Sequence, residues 1–201
     1  MKYLYFTFIL SIFMGYGCSK KIQPVQSSTH TINVTQSLND DLLFPESWVG
    51  KWCGELMIYD SVGLSNTLPM ALEVTPTDSS SIYNWSIIYG KDSLAQVRAY
   101  QLVELNKETG HFMVDEKNGI FLDAYMRNNE LTSIFEVMGN SLIICYEMTE
   151  NHILFTVKFF PSKEIRTSGG EKMGDQDIPP VKSYNLKSTQ IARLYKKCLV
   201  E

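Results

Sequence analysis

Residues 126–160 read MRNNELTSIFEVMGNSLIICYEMTENHILFTVKFF. Three runs in which apolar side chains recur at every second residue lie here, preceded in turn by NN, GN and TEN. A period of two is that of a strand with one buried face. Asn and Gly tolerate the positive φ that tight turns between antiparallel strands require. The stretch is therefore a β-meander over residues 130–138, 141–148 and 152–160.

The same pattern extends upstream over residues 50–60, 68–75, 83–89, 96–105, 110–115 and 120–127, and downstream over 190–197. The fifth and sixth runs meet across EKNG, where Asn118-Gly119 predicts a tight turn. Short alternating runs at this spacing predict an all-β fold. Successive neighbours with short links predict an up-and-down antiparallel β-barrel of about ten strands, because closure removes exposed edges. An even number of strands also makes the first and last antiparallel. Neither a long amphipathic helix nor an internal repeat is visible. Residues 161–184, PSKEIRTSGGEKMGDQDIPPVKSY, form a long polar insertion that fits either a surface excursion or a lid.

The first residues, MKYLYFTFILSIFMGYGC, place a positive Lys2 before an apolar run too short to span a bilayer, then Gly15, Gly17 and Cys18. This order predicts a signal peptide. The small residue before Cys18 resembles a bacterial lipoprotein signal, in a relaxed form typical of the Bacteroidota. That resemblance implies cleavage after residue 17 and a lipid on Cys18. Residues 18–45 are rich in Ser, Thr, Gln and Asn and predict a flexible tether. A folded domain then occupies 46–201, entered through NDDLLFPESW at 39–48, as a short helical turn or an apolar plug. The expected setting is the cell envelope: a protein lipid-anchored to a bacterial membrane, inner or outer, with its domain on the periplasmic or extracellular side.

The net charge is −4, with 44% hydrophobic residues. A real core can form, and no basic patch exists to grip phosphates, so nucleic acid is not expected as a partner. After lipidation Cys53, Cys145 and Cys198 remain, in an oxidising compartment. None lies near another cysteine or a His, so no metal site is predicted. Closing a meander sets the start of the first strand beside the end of the last, which brings Cys53 toward Cys198. Parity opposes that pairing: Cys53 alternates with an inward Trp52, whereas Cys198 shares parity with inward-looking Ala192 and Leu194.

Gly50-Lys51-Trp52, at the head of the first strand, resembles the Gly-x-Trp signature of lipocalins and related calycin barrels. In that superfamily the Trp plugs one barrel end against a late basic residue, which implies Arg193 here. The closing run QIARLYKK is similar to the family's last strand. Residues 48–197 as a whole resemble uncharacterised small lipoproteins of the Bacteroidota. The haem site of nitrobindin-like barrels needs a late His. His111 and His152 do not match it, so no cofactor is expected.

No Gly-x-Ser-x-Gly or His-Glu-x-x-His motif occurs, and the expectation is a protein that is not an enzyme. Arg98 and Tyr100 share one strand face, Asp123 and Tyr125 another. Turned inward, the four would resemble the carboxylate grip of fatty-acid-binding barrels; turned outward, they are a solvated face. Trp85 and Tyr146 head aromatic faces that either fill the barrel or line a cavity, the number of large residues leaning toward filling. Three functions remain open, an enzyme of unrecognised type ranking last. The first is non-covalent binding of a small hydrophobic or amphipathic ligand through Trp85, Arg98, Tyr100, Asp123, Tyr125 and Tyr146. The second is a filled-core interaction module of an envelope complex.

Overall fold

The computed structural model describes residues 44–91, 95–196 and 198. The predicted signal peptide, Cys18 and nearly all of the tether lie outside the described residues.

Ten strands form a closed barrel: β1 (Gly50–Tyr59), β2 (Leu64–Pro76), β3 (Ile82–Tyr89), β4 (Gln96–Asn106), β5 (His111–Asp115), β6 (Phe121–Arg127), β7 (Glu130–Val137), β8 (Asn140–Met148), β9 (His152–Pro161) and β14 (Ser188–Tyr195). Each pairs antiparallel with its neighbour in the chain, β9 pairs with β14, and β14 returns to β1. The expected all-β barrel of ten strands is the one found.

Two boundaries differ from expectation. β2 begins at Leu64 rather than at 68, because the polar Asn66 and Thr67 still pair with Ile58 and Met57 of β1. Their backbone groups complete a ladder even though their side chains have nothing to bury. The EKNG link is wider than a two-residue Asn-Gly turn. Positive φ falls at Lys117 (60°) and Gly119 (94°), and the Glu116 N–H donates to Ile120 O at 3.1 Å. The Asp115 carboxylate accepts the Lys117 N–H at 2.7 Å, which drives the departure.

Residues 161–187 are an extended ribbon rather than an irregular loop. β10 (Arg166–Ser168) pairs with β13 (Val181–Ser183), and β11 (Lys172–Met173) pairs with β12 (Gln176–Asp177). All four strands of this arm are exposed.

The barrel has two unlike ends. At the end where β1 starts, Phe44 and Trp48 are buried as a plug, with a 3₁₀ turn over Glu46–Trp48. The segment is thus both helical turn and apolar plug. Phe44 meets Trp48 and Phe112 edge-on, each at 4.9 Å between ring centroids, and Trp48 lies 6.1 Å from Trp85. Edge-to-face pairs of this kind add about 0.5–1.5 kcal/mol each beyond their buried area. The Trp52 indole N–H donates to Trp48 O at 2.8 Å and ties the plug to β1.

The basic partner of Trp52 is Lys196, not Arg193. The Lys196 ammonium lies 5.3 Å from the Trp52 ring centroid. On β14 the inward residues are Ser188, Gln190, Ala192 and Leu194, so alternation turns Arg193 out to solvent. Lys196 follows the end of the strand and is free of that alternation. Gly50 sits beside it with φ of 129°, a conformation that side chains disfavour.

Cys53 and Cys198 are joined by a disulfide spanning 145 residues. The parity objection does not apply, because Cys198 lies beyond the last residue of β14. Cys145 is a free, half-buried thiol on the outer face of β8. Two substitutions test the β1–β14 seam. A Cβ on Gly54 would stand 2.1 Å from Arg193 O, so Gly54→Ala should cost about 1–3 kcal/mol through overpacking. Cys53→Ser should cost about 2–5 kcal/mol. Urea unfolding of each variant against the unsubstituted protein measures both; a midpoint unchanged by Gly54→Ala would refute the close approach.

Candidate functional site

The barrel is not filled. A cavity of about 240 Å³ opens at the end opposite the plug. Its floor is aromatic: Trp85, Tyr146 and Phe155, with Tyr146 meeting Trp85 at 5.2 Å, near perpendicular, and Phe155 at 4.9 Å. Trp85 therefore separates the cavity from Trp48 of the plug. The walls are mainly aliphatic and aromatic, including Leu68, Ile87, Phe135, Leu142 and Ile144. This is the usual make-up of a ligand pocket, an apolar body with a few placed polar groups.

The polar groups concentrate on one side. The inward face of β4 carries Gln96, Arg98 and Tyr100 into the cavity, and Glu116 joins them from the link between β5 and β6. Tyr100 stands beside Arg98 and Glu116, close enough for both charges to act on its phenol. Burial raises its pKa first and Glu116 adds to the rise, while Arg98 opposes it. Burial likewise pushes Tyr89 up to about 12, against the pull of Arg98. Tyr146, on the floor, is raised well above its ordinary value by burial, with Tyr89 adding. All three phenols are thus protonated donors at neutral pH. Among the described residues no carboxylate forms an ion pair with Arg98, a half-buried residue beside Tyr100.

The structure separates the residues that sequence alone placed in one set. Trp85, Arg98, Tyr100 and Tyr146 line the cavity. Asp123 and Tyr125 are exposed on the outer wall, because Leu122, Ala124 and Met126 form the inward face of β6. There Asp123 bonds His111 Nε2 at 2.7 Å, Tyr125 stacks on His111 at 4.7 Å, and Arg127 covers Tyr125 at 5.4 Å. This cluster is the solvated alternative, realised for half of the set. Sequence reasoning did not single out Gln190 or Ser133 on the cavity wall. Their available signal was a polar residue interrupting an apolar face, as Ser133 does between Leu131 and Phe135. None of residues 161–187 lines the cavity, although the arm rises from the same end.

No family model matches the chain, and no curated protein does. Among solved structures it resembles that of the S-type phycobiliprotein lyase CPES from Guillardia theta. The superposition has a TM-score of 0.53 with 7% sequence identity, and covers 83% of this chain and 96% of that chain. The barrel is calycin-like. The finer resemblance to small Bacteroidota lipoproteins has no matching family or curated relative beside it. The expectation that the protein is not an enzyme is overturned: a structure of the same fold is named a lyase, at 7% identity.

The raised tyrosines give a pH signature. The folded state keeps the Tyr89 proton between its ordinary value of 10.0 and about 12, where an unfolded chain has released it. Stability from this group is therefore complete below pH 10.0 and lost as pH rises toward 12. Tyrosinate absorption should lag in the native protein relative to the urea-unfolded chain. Tyr89→Phe should leave the native absorption rise below about pH 11 unchanged; a smaller rise would show that Tyr89 titrates normally.

Proposed function

We propose that this protein binds a small amphipathic molecule with an acidic end inside the barrel. The apolar body lies between the aliphatic walls and the Trp85 floor, and the acidic group meets Arg98 and Tyr100. The observation that carries this reading is a half-buried Arg98 facing an open apolar cavity, with no ion-pair partner among the described residues. Guanidinium groups removed from water favour an anionic partner. The volume of about 240 Å³ lies below the range of about 300–1,000 Å³ usual for drug-sized ligands, so the ligand is small. The cavity favours binding over the filled-core interaction module. The name of the fold neighbour, a phycobiliprotein lyase, also fits a barrel used on a small molecule.

The proposed setting is a bacterial cell envelope, with the domain tethered through a lipid on Cys18. The support is the order of charge, apolar run, small residues and cysteine in residues 1–18. Membrane fractionation of Cys18→Ser should move the protein to the soluble fraction; unchanged fractionation would refute the anchor.

Calorimetric titration with decanoic acid tests the cavity. Arg98→Met should weaken binding about ten-fold or more, and Tyr100→Phe about three- to ten-fold. Asp123→Asn, on the outer wall, should change nothing. Binding indifferent to Arg98→Met would refute the acidic-end reading.

A further inference from the structure

Gln190 and Ser133 are the buried polar side chains of the cavity wall, each 8% exposed. Gln190 stands on the inward face of β14, between Ser188 and Ala192; Ser133 stands on that of β7, between Leu131 and Phe135. Neither side chain makes a hydrogen bond among the described residues, and neither is one of the fully enclosed unpaired groups, which are the Ser47 and Ser188 hydroxyls; the polar atoms of Gln190 and Ser133 reach the open cavity. Both belong to one row of paired residues: Gln190 faces Val157, Val157 faces Ile144, and Ile144 faces Ser133. Strand stagger makes such a row oblique to the barrel axis. Gln190 accordingly lies nearer the mouth end of its strand than Ser133 does of its own. The two polar groups sit at different depths on one side of the cavity, with apolar Val157 and Ile144 between them.

An aliphatic residue would fill either position without leaving a donor or acceptor unmet. A carboxamide offers two donors and an acceptor, and a hydroxyl offers one donor with acceptor capacity. Leaving such groups unpaired in an apolar wall is unfavourable, so buried polar groups in folded proteins have partners. Both side chains face the open cavity, where water meets them until a ligand group of matching polarity takes its place.

We propose that the ligand carries, in addition to its acidic end, an uncharged hydrogen-bonding group along its body, a hydroxyl or carbonyl received by Gln190 near the mouth or by Ser133 deeper in the cavity. The inference rests on the acidic-end reading above and narrows it. The ligand class becomes an oxygenated small amphipathic acid instead of a plain saturated chain. Arg98 and Tyr100 on β4 hold one end, and the Gln190–Ser133 row reads the interior of the chain.

The test is calorimetric titration of the full chain with decanoic acid and with a series of monohydroxydecanoic acids differing in hydroxyl position. At least one isomer should bind about five-fold or more tightly than decanoic acid. In the Gln190→Leu/Ser133→Ala double variant the advantage should shrink to within about two-fold, while decanoic acid binds at least as well as before. If decanoic acid binds and no isomer exceeds it, or if the advantage survives in the double variant, this proposal is overturned and the acidic-end reading stands. If neither decanoic acid nor any isomer binds, the acidic-end reading fails and this proposal with it. The comparison on the unsubstituted protein decides the point even where the double variant does not fold.

Discussion

The ladder between β1 and β14 closes the sheet, and the rest of the molecule depends on that closure. An open meander of this length would leave two edges of unpaired backbone groups in water, ready to pair with other chains. Closure satisfies them and encloses a space. Three further features fix the seam. Gly54 lets the backbone of β14 approach, the Cys53–Cys198 disulfide joins the strand start to the chain end, and Lys196 covers Trp52. Because β14 arrives after the exposed arm, the closing strand is contributed from far along the chain. A disulfide spanning 145 residues restricts the unfolded ensemble where that restriction is strongest.

Closure alone would give a tube, and the aromatic plug makes it a cup. Phe44 and Trp48 seal one end against Phe112, and Trp85 carries the seal to the cavity floor. The sealed end is also where the described chain enters the barrel, at Phe44. The mouth, the polar side of β4 and the arm lie at the other end. A molecule entering the mouth meets the half-buried Arg98 beside apolar walls. That combination rewards an acidic group on an apolar body, since each half would be poorly placed with the other's neighbours.

Much of the fold was legible because it rests on local signals. Alternation over 126–160 and turn residues at 128–129 and 139–140 locate β6 to β9 without tertiary knowledge. The strength of that pattern reflects a barrel wall with one apolar and one wet face. The start of β2 was less legible, since pairing with β1 overrides polar side chains at 66 and 67. Barrel-end details depend on where a strand stops. Arg193 was the expected partner of Trp52, but it lies inside β14 and is turned out by parity, whereas Lys196 follows the strand and folds back. For the site, Arg98 and Tyr100 were legible as a polar pair facing one way. The placement of Asp123 and Tyr125 required weighing their face against Leu122, Ala124 and Met126, the more apolar set. Whether large side chains fill the barrel was beyond periodicity, because it depends on barrel radius and on how the aromatic rings stack.

The central claim is that the cavity holds a small acidic amphipathic molecule. Native mass spectrometry of the full chain purified from its own host tests it most directly. The account predicts a retained small molecule bearing a carboxylate or another acidic group, released on unfolding and absent from the Arg98→Met protein. Repeated preparations at the bare polypeptide mass, or a retained molecule equally abundant on Arg98→Met, would contradict it.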